Sequence, residues 1–75
     1  MGDSPISNSI RKLRFNRDEM TQDELAKKVG VTRQTIIAIE SARYSPSLEL
    51  AFRIARVFGL TVEEVFTYNP EREKK

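Results

Sequence analysis

The chain has 75 residues, 39% of them hydrophobic, which suits one domain with a small core. It contains no cysteine and no histidine, which excludes disulfides and thiolate sites and removes the commonest general base and metal ligand, so neither a metal nor a cofactor is expected. No apolar run approaches the length of a membrane span or a signal peptide, so a cytoplasmic protein with no membrane partner is expected.

Residues 1–5 read as a disordered lead-in, residues 6–69 as the folded domain and residues 70–75 as a charged tail. Helix 1 is expected to start near Ser7 or Asn8 and to end near Arg17. Ile10, Leu13 and Arg14 share one of its faces. Arg11 and Arg17 fall elsewhere on it and are expected to approach phosphates. Thr21 then N-caps helix 2, with Glu24 completing a capping box and Met20 stapling to Leu25. Helix 2 covers Gln22 to Val29 and stops at Gly30, which accepts a left-handed conformation without a Cβ clash. Thr32 caps helix 3, and its Ile36 and Ile39 point inward with Leu25 and Val29. Residues 21–41 are thus two short helices joined by a tight turn, with small Ala26 at their crossing. Pro46 forbids continuation of helix 3, and Ser47 caps helix 4, Leu48 to Phe58. Helix 4 is apolar most of the way round, with Glu49, Arg53 and Arg56 as its one polar stripe. Gly59 ends it. Thr61 and Glu64 repeat the capping box before a short helix 5, Val62 to Phe66, and Thr67 to Asn69 have some strand character.

This order of residues resembles the Cro/lambda-repressor-type helix-turn-helix family, also called the xenobiotic-response-element family. The resemblance is carried by Gln22, Leu25, Ala26, Val29, Gly30, Val31, Ile36, Ile39 and Glu40. It continues through Pro46 to Ala51, Ile54 and Ala55, and Val62 to Phe66, and so spans nearly the whole chain. It implies an all-α fold, a five-helix lambda-repressor-like DNA-binding bundle, with a short C-terminal strand as an open alternative. Two positions depart from the family pattern. Glu19 and Ala42 stand where many members carry glycine, which leaves the turn between helices 1 and 2 the least determined geometry and the sharpness of the helix 3 C-cap open. The charge agrees with the resemblance. Residues 11–43 hold eight Lys/Arg against five Asp/Glu, whereas residues 44–75 hold five of each.

With Ile36, Ile39 and Glu40 facing inward, Arg33, Gln34, Ile37, Ala38 and Ser41 form the outward stripe of helix 3. Arginine pairs bidentately with guanine, glutamine with adenine, and small apolar side chains pack on a thymine methyl, so Arg33, Gln34, Ile37 and Ala38 are the expected base readers. Gln22, at a helix N-terminus, together with Thr32, Thr35, Ser41, Arg43, Tyr44 and Arg11, are the expected phosphate and positioning contacts. In similar proteins the positions of Arg14 and Glu40 form an ion pair that ties helix 1 to helix 3.

The expected function is therefore sequence-specific binding of double-stranded DNA by a homodimer that regulates transcription, as a repressor, on a two-fold operator. Phe58, Leu60, Val62, Phe66 and Tyr68 are the apolar residues expected at its interface. Two rivals use the same fold: an antitoxin-like module that sequesters a small protein partner, and a bridging module that binds protein instead of DNA. An enzyme is not expected, because no nucleophile is paired with a base.

Overall fold

The computed structural model describes residues 4–72. In chain order these form β1 (Ile6–Asn8), α1 (Ile10–Phe15), α2 (Gln22–Val29), α3 (Arg33–Glu40), α4 (Leu48–Val57), α5 (Val62–Val65), β2 (Phe66–Tyr68) and a closing 3-10 turn at Pro70–Arg72. Each of the last four helices begins on the cap its sequence announces. The Thr21 hydroxyl accepts from the Glu24 N–H at 3.0 Å, while the Glu24 carboxylate accepts from the Thr21 N–H at 2.8 Å. Thr61 and Glu64 repeat that reciprocal pair. Thr32 and Ser47 accept from the Thr35 and Leu50 N–H groups. Such caps satisfy helix-end donors and contribute about 1 kcal/mol each.

The core is the shared inner face of these helices. Ile10, Leu25, Ile36 and Ile54 are completely buried, and Val29, Ile39 and Val65 nearly so. Each contributes roughly 1.5–3 kcal/mol by leaving water. α2 packs on both α3 and α4, and Ala26 is buried in that contact. α5 and β2 close the far side against α4 and β1.

The start of the chain departs from expectation. Ile6–Asn8 is a strand and not the first turn of helix 1. It pairs antiparallel with β2 in the register Ile6↔Tyr68, Ser7↔Thr67 and Asn8↔Phe66. Helix 5 accordingly stops at Val65, because Phe66 turns extended to join this two-stranded sheet. Helix 1 is shorter than predicted at both ends. The Asn8 carboxamide oxygen accepts from the Ile10 N–H at 3.1 Å and holds the strand-to-helix corner. Of the expected lead-in, Ser4 is buried and donates its N–H to the Ala42 carbonyl, while residues 1–3 lie outside the described residues. Residues 73–75 of the expected tail also lie outside them.

The two departures from the glycine pattern are resolved by backbone strain. Asp18 and Glu19 both adopt φ of 55°, and Ala42 adopts 62°. A side chain at such angles costs roughly 1–2 kcal/mol. At Ala42 the helix end is a full Schellman arrangement. Its N–H reaches the Ile39 carbonyl and the Arg43 N–H the Ala38 carbonyl, both at 3.0 Å. Ala42→Gly should therefore stabilise the fold by up to about 1 kcal/mol, the relieved strain less the greater chain entropy of glycine. Urea denaturation checks this; a less stable glycine variant would contradict it.

Candidate nucleic-acid interface

α3 is presented as a recognition helix requires. Its inner side is anchored by Ile36 and Ile39, both buried, and by Glu40. Its outer side carries exposed Arg33, Gln34 and Ser41, with Ile37 and Ala38 half-buried between them. Arg33 and Gln34 occupy the first turn, the end from which a recognition helix reaches base edges.

The arginines divide into two groups. Arg14, Arg17 and Arg53 are spent on the fold. Arg14 Nε and Nη2 donate to the two Glu40 oxygens at 2.6 and 3.1 Å. Arg14 Nη1 donates to the Met20 carbonyl at 2.8 Å. Arg17 was expected to approach phosphates. Instead Nη1 donates to the Val57 carbonyl at 2.9 Å, and the guanidinium lies 5.9 Å from the Phe58 ring centroid. It caps the C-terminal end of α4, where carbonyls lack helical partners. Arg53 does the same for α2 through the Val29 carbonyl, while pairing with Glu49 at 2.6 Å. Among the described residues, Arg11, Arg33, Arg43 and Arg56 make no side-chain hydrogen bond or ion pair. Three of these four, Arg11, Arg33 and Arg43, are expected DNA contacts.

Arg11, Gln22 and Arg33 line one open cleft of about 500 Å³ where α1 and the N-terminal ends of α2 and α3 meet. Glu19 and Asp23 also border it. The Gln22 amide nitrogen donates to Glu40 at 3.2 Å, which leaves its carbonyl oxygen turned from that bond and ties the start of α2 to the end of α3. The hydroxyls of Thr32 and Thr35 lie 3.1 Å apart and bond one another. The Ser41 hydroxyl donates back to the Ala38 carbonyl at 3.1 Å. Arg43 and Tyr44 are exposed on the loop after α3.

The residues expected at a dimer contact separate in a way the sequence did not foretell. Phe58 and Phe66 are each only 8% exposed and complete the chain's own core. The pleat of β2 turns Phe66 inward, and the Arg17 cap covers Phe58. Leu60 and Val62 are half-buried against that core, and Tyr68 is exposed. One edge of the strand anticipated near Thr67 is taken by β1 of the same chain. Leu48 and Phe52, one turn apart on α4, are the further large apolar side chains left exposed on that helix. Sequence reasoning also missed Asn8 and Ser4 as partners of the α3 end. The signal at Asn8 was there, but it read as a helix start.

Residues 10–65 match the family model described as helix-turn-helix. The chain is 53% identical over 62 residues to an uncharacterized HTH-type transcriptional regulator of Methanocaldococcus jannaschii, covering 80% of this chain and 94% of that one. It is 37% identical over 60 residues to the cryptic phage CTXphi transcriptional repressor RstR of Vibrio cholerae, covering 80% of this chain and 53% of the repressor. The crystal structure of a hypothetical transcription factor, NHTF, from Neisseria superposes with a TM-score of 0.69 at 28% identity, covering 87% of this chain and 74% of that one. Among the described residues no helix is long and apolar enough to cross a membrane. The match over residues 10–65, with a relative 53% identical over 80% of the chain, places the protein in the Cro/C1-type helix-turn-helix family of transcriptional regulators, a DNA-binding and non-enzymatic family.

Proposed function

We propose that this regulator is a repressor that binds a two-fold operator as a homodimer, with its five helices disposed as in lambda repressor. The observation that carries the reading is the outer face of α3, where Arg33 and Gln34 stand exposed and unpaired beside Ile37 and Ala38. These are the side-chain chemistries that read guanine, adenine and the thymine methyl in the major groove. Arg11, Gln22, Thr32, Thr35, Ser41, Arg43 and Tyr44 would then meet the phosphates on either side. Repression is supported by the similarity to RstR, a phage transcriptional repressor. It would act by occupancy, competing with polymerase for the same stretch of duplex.

A single module covers one half-site, and two recognition helices about one DNA turn, roughly 34 Å, apart give the specificity one lacks. Tyr68, Leu60 and Val62, with exposed Leu48 and Phe52, supply the apolar surface for the two-fold contact. Phe58 and Phe66 are left out of it, being spent on the core.

Selection of bound duplexes from a random pool tests the reading. The expected product is an inverted repeat with half-sites about 10 base pairs apart, bound with an affinity that falls steeply with salt. Sedimentation at tens of micromolar should show a dimer that Tyr68→Glu weakens. No enrichment from the pool, with co-purification of a second small protein, would favour the antitoxin-like reading instead.

A further inference from the structure

The strand that the five-helix pattern does not call for ends up bonded to the recognition helix. Asn8 Nδ2 donates to the Ile39 carbonyl at 2.8 Å, inside the last turn of α3. The Ser4 N–H donates to the Ala42 carbonyl at 2.5 Å, just past the end of that helix. The Ser4 hydroxyl bonds the Ser45 hydroxyl, three residues further on. These bonds bracket Arg43 and Tyr44, both exposed. The segment that makes them is itself pinned to the C-terminal part of the domain. β1 pairs with β2, the Ser9 N–H reaches the Val65 carbonyl at 2.9 Å, and the Asn69 N–H reaches the Pro5 carbonyl at 2.7 Å.

We propose that Ser4 to Asn8 form a strap that sets the position of the Arg43–Tyr44 loop for phosphate contact, with Asn8 and Ser4 as its positioning residues. The inference rests on the DNA-binding reading above and assigns a role inside it. The physical need is local. The loop leaves α3 through Ala42 at a φ of 62°, and the bonds from Asn8 and Ser4 add to the two helix-end bonds that offset this strain. Without the outside bonds the helix end would fray more readily, and Arg43 would have to be ordered at the moment of binding. A loop ordered in advance avoids that cost.

Asn8→Asp isolates the tie. It keeps an oxygen for the Ile10 N–H and replaces the donor facing the Ile39 carbonyl by an acceptor. Ser4→Ala is a second, charge-neutral variant, which removes the hydroxyl tie to Ser45 and keeps the main-chain bond to Ala42. The probes are a labelled duplex carrying a site selected by the wild-type protein and a scrambled duplex of the same length. Both variants should bind both duplexes about tenfold more weakly, since phosphate contacts carry no sequence information. The slope of log K against log salt should become shallower by about 0.9, the loss of one phosphate contact. In either background a further Arg43→Ala should change almost nothing, although it weakens the wild-type protein; a purely structural role would leave the two effects additive. Folded variants with wild-type affinity and slope, or full additivity with Arg43→Ala, would overturn the strap. If Arg33→Ala and Arg43→Ala are both silent in the otherwise wild-type protein, the DNA reading itself falls, and the strap with it. Amide exchange gives a readout without DNA. Asn8→Asp, which breaks the bond to the carbonyl that the Ala42 N–H also reaches, should speed exchange at Ala42 and Arg43 and leave α2 unchanged, and equal rates at Ala42 and Arg43 would also overturn the proposal.

Discussion

Glu40→Ala is expected to destabilise the protein by roughly 3–5 kcal/mol, the cost of stranding a buried charge. The Glu40 side chain is 9% exposed and that of Arg14 14%. Glu40 accepts from Arg14 Nε, Arg14 Nη2 and Gln22 Nε2, and Arg14 also holds the Met20 carbonyl at the start of α2. One carboxylate thus joins α1, α2 and α3. Its loss leaves the Arg14 guanidinium with a single carbonyl partner and the Gln22 amide with none among the described residues. Ordinary domains are stable by about 0.05–0.15 kcal/mol per residue, or about 4–11 kcal/mol at this length. The single substitution therefore removes a large share of the total. Replacing both partners together, as Arg14→Met with Glu40→Leu, should recover most of it, because no unpaired charge remains. Urea denaturation at low temperature measures all three proteins. A Glu40→Ala variant that unfolds at the wild-type urea concentration would show the pair to be ornamental.

Arg33→Ala should lower affinity for the selected operator by about 1–3 kcal/mol and relax selection at one base pair. Affinity for random duplex should change far less. The expectation follows from position and from availability. Arg33 opens α3, is exposed, and forms no bond within the described chain, so the whole guanidinium fork is free for guanine O6 and N7. Gln34→Ala should act in the same way at a neighbouring base. Arg11→Ala and Arg43→Ala are the contrast, weakening all sequences alike and flattening the salt dependence. Parallel titrations on the selected and scrambled duplexes separate these behaviours. An Arg33→Ala variant that loses affinity equally on both would assign the residue to phosphate.

The parts of this molecule governed by short-range rules are legible in its residues. A capping box needs only positions three apart, so Thr21 with Glu24 and Thr61 with Glu64 announce the starts of α2 and α5. Helical periodicity places Leu25, Val29, Ile36 and Ile39 inside and Arg33 and Gln34 outside, because a rigid 3.6-residue turn leaves no other choice once one face is apolar. What the tertiary structure alone decided depends on partners far apart in the chain. A strand of three residues carries almost no periodic signal, and Ile6–Asn8 becomes one only because Phe66–Tyr68 lies beside it. Arg17 looks like any exposed arginine until the end of α4 comes within its reach, 40 residues on. Phe58 and Phe66 are expected from the sequence at a dimer contact, yet the corner between α4, α5 and the sheet closes over both. Side chains are assigned to core or surface by local period, but which apolar residues remain uncovered is set by how the elements meet. The long-range contacts that settle this form between positions whose separation leaves no pattern in the sequence.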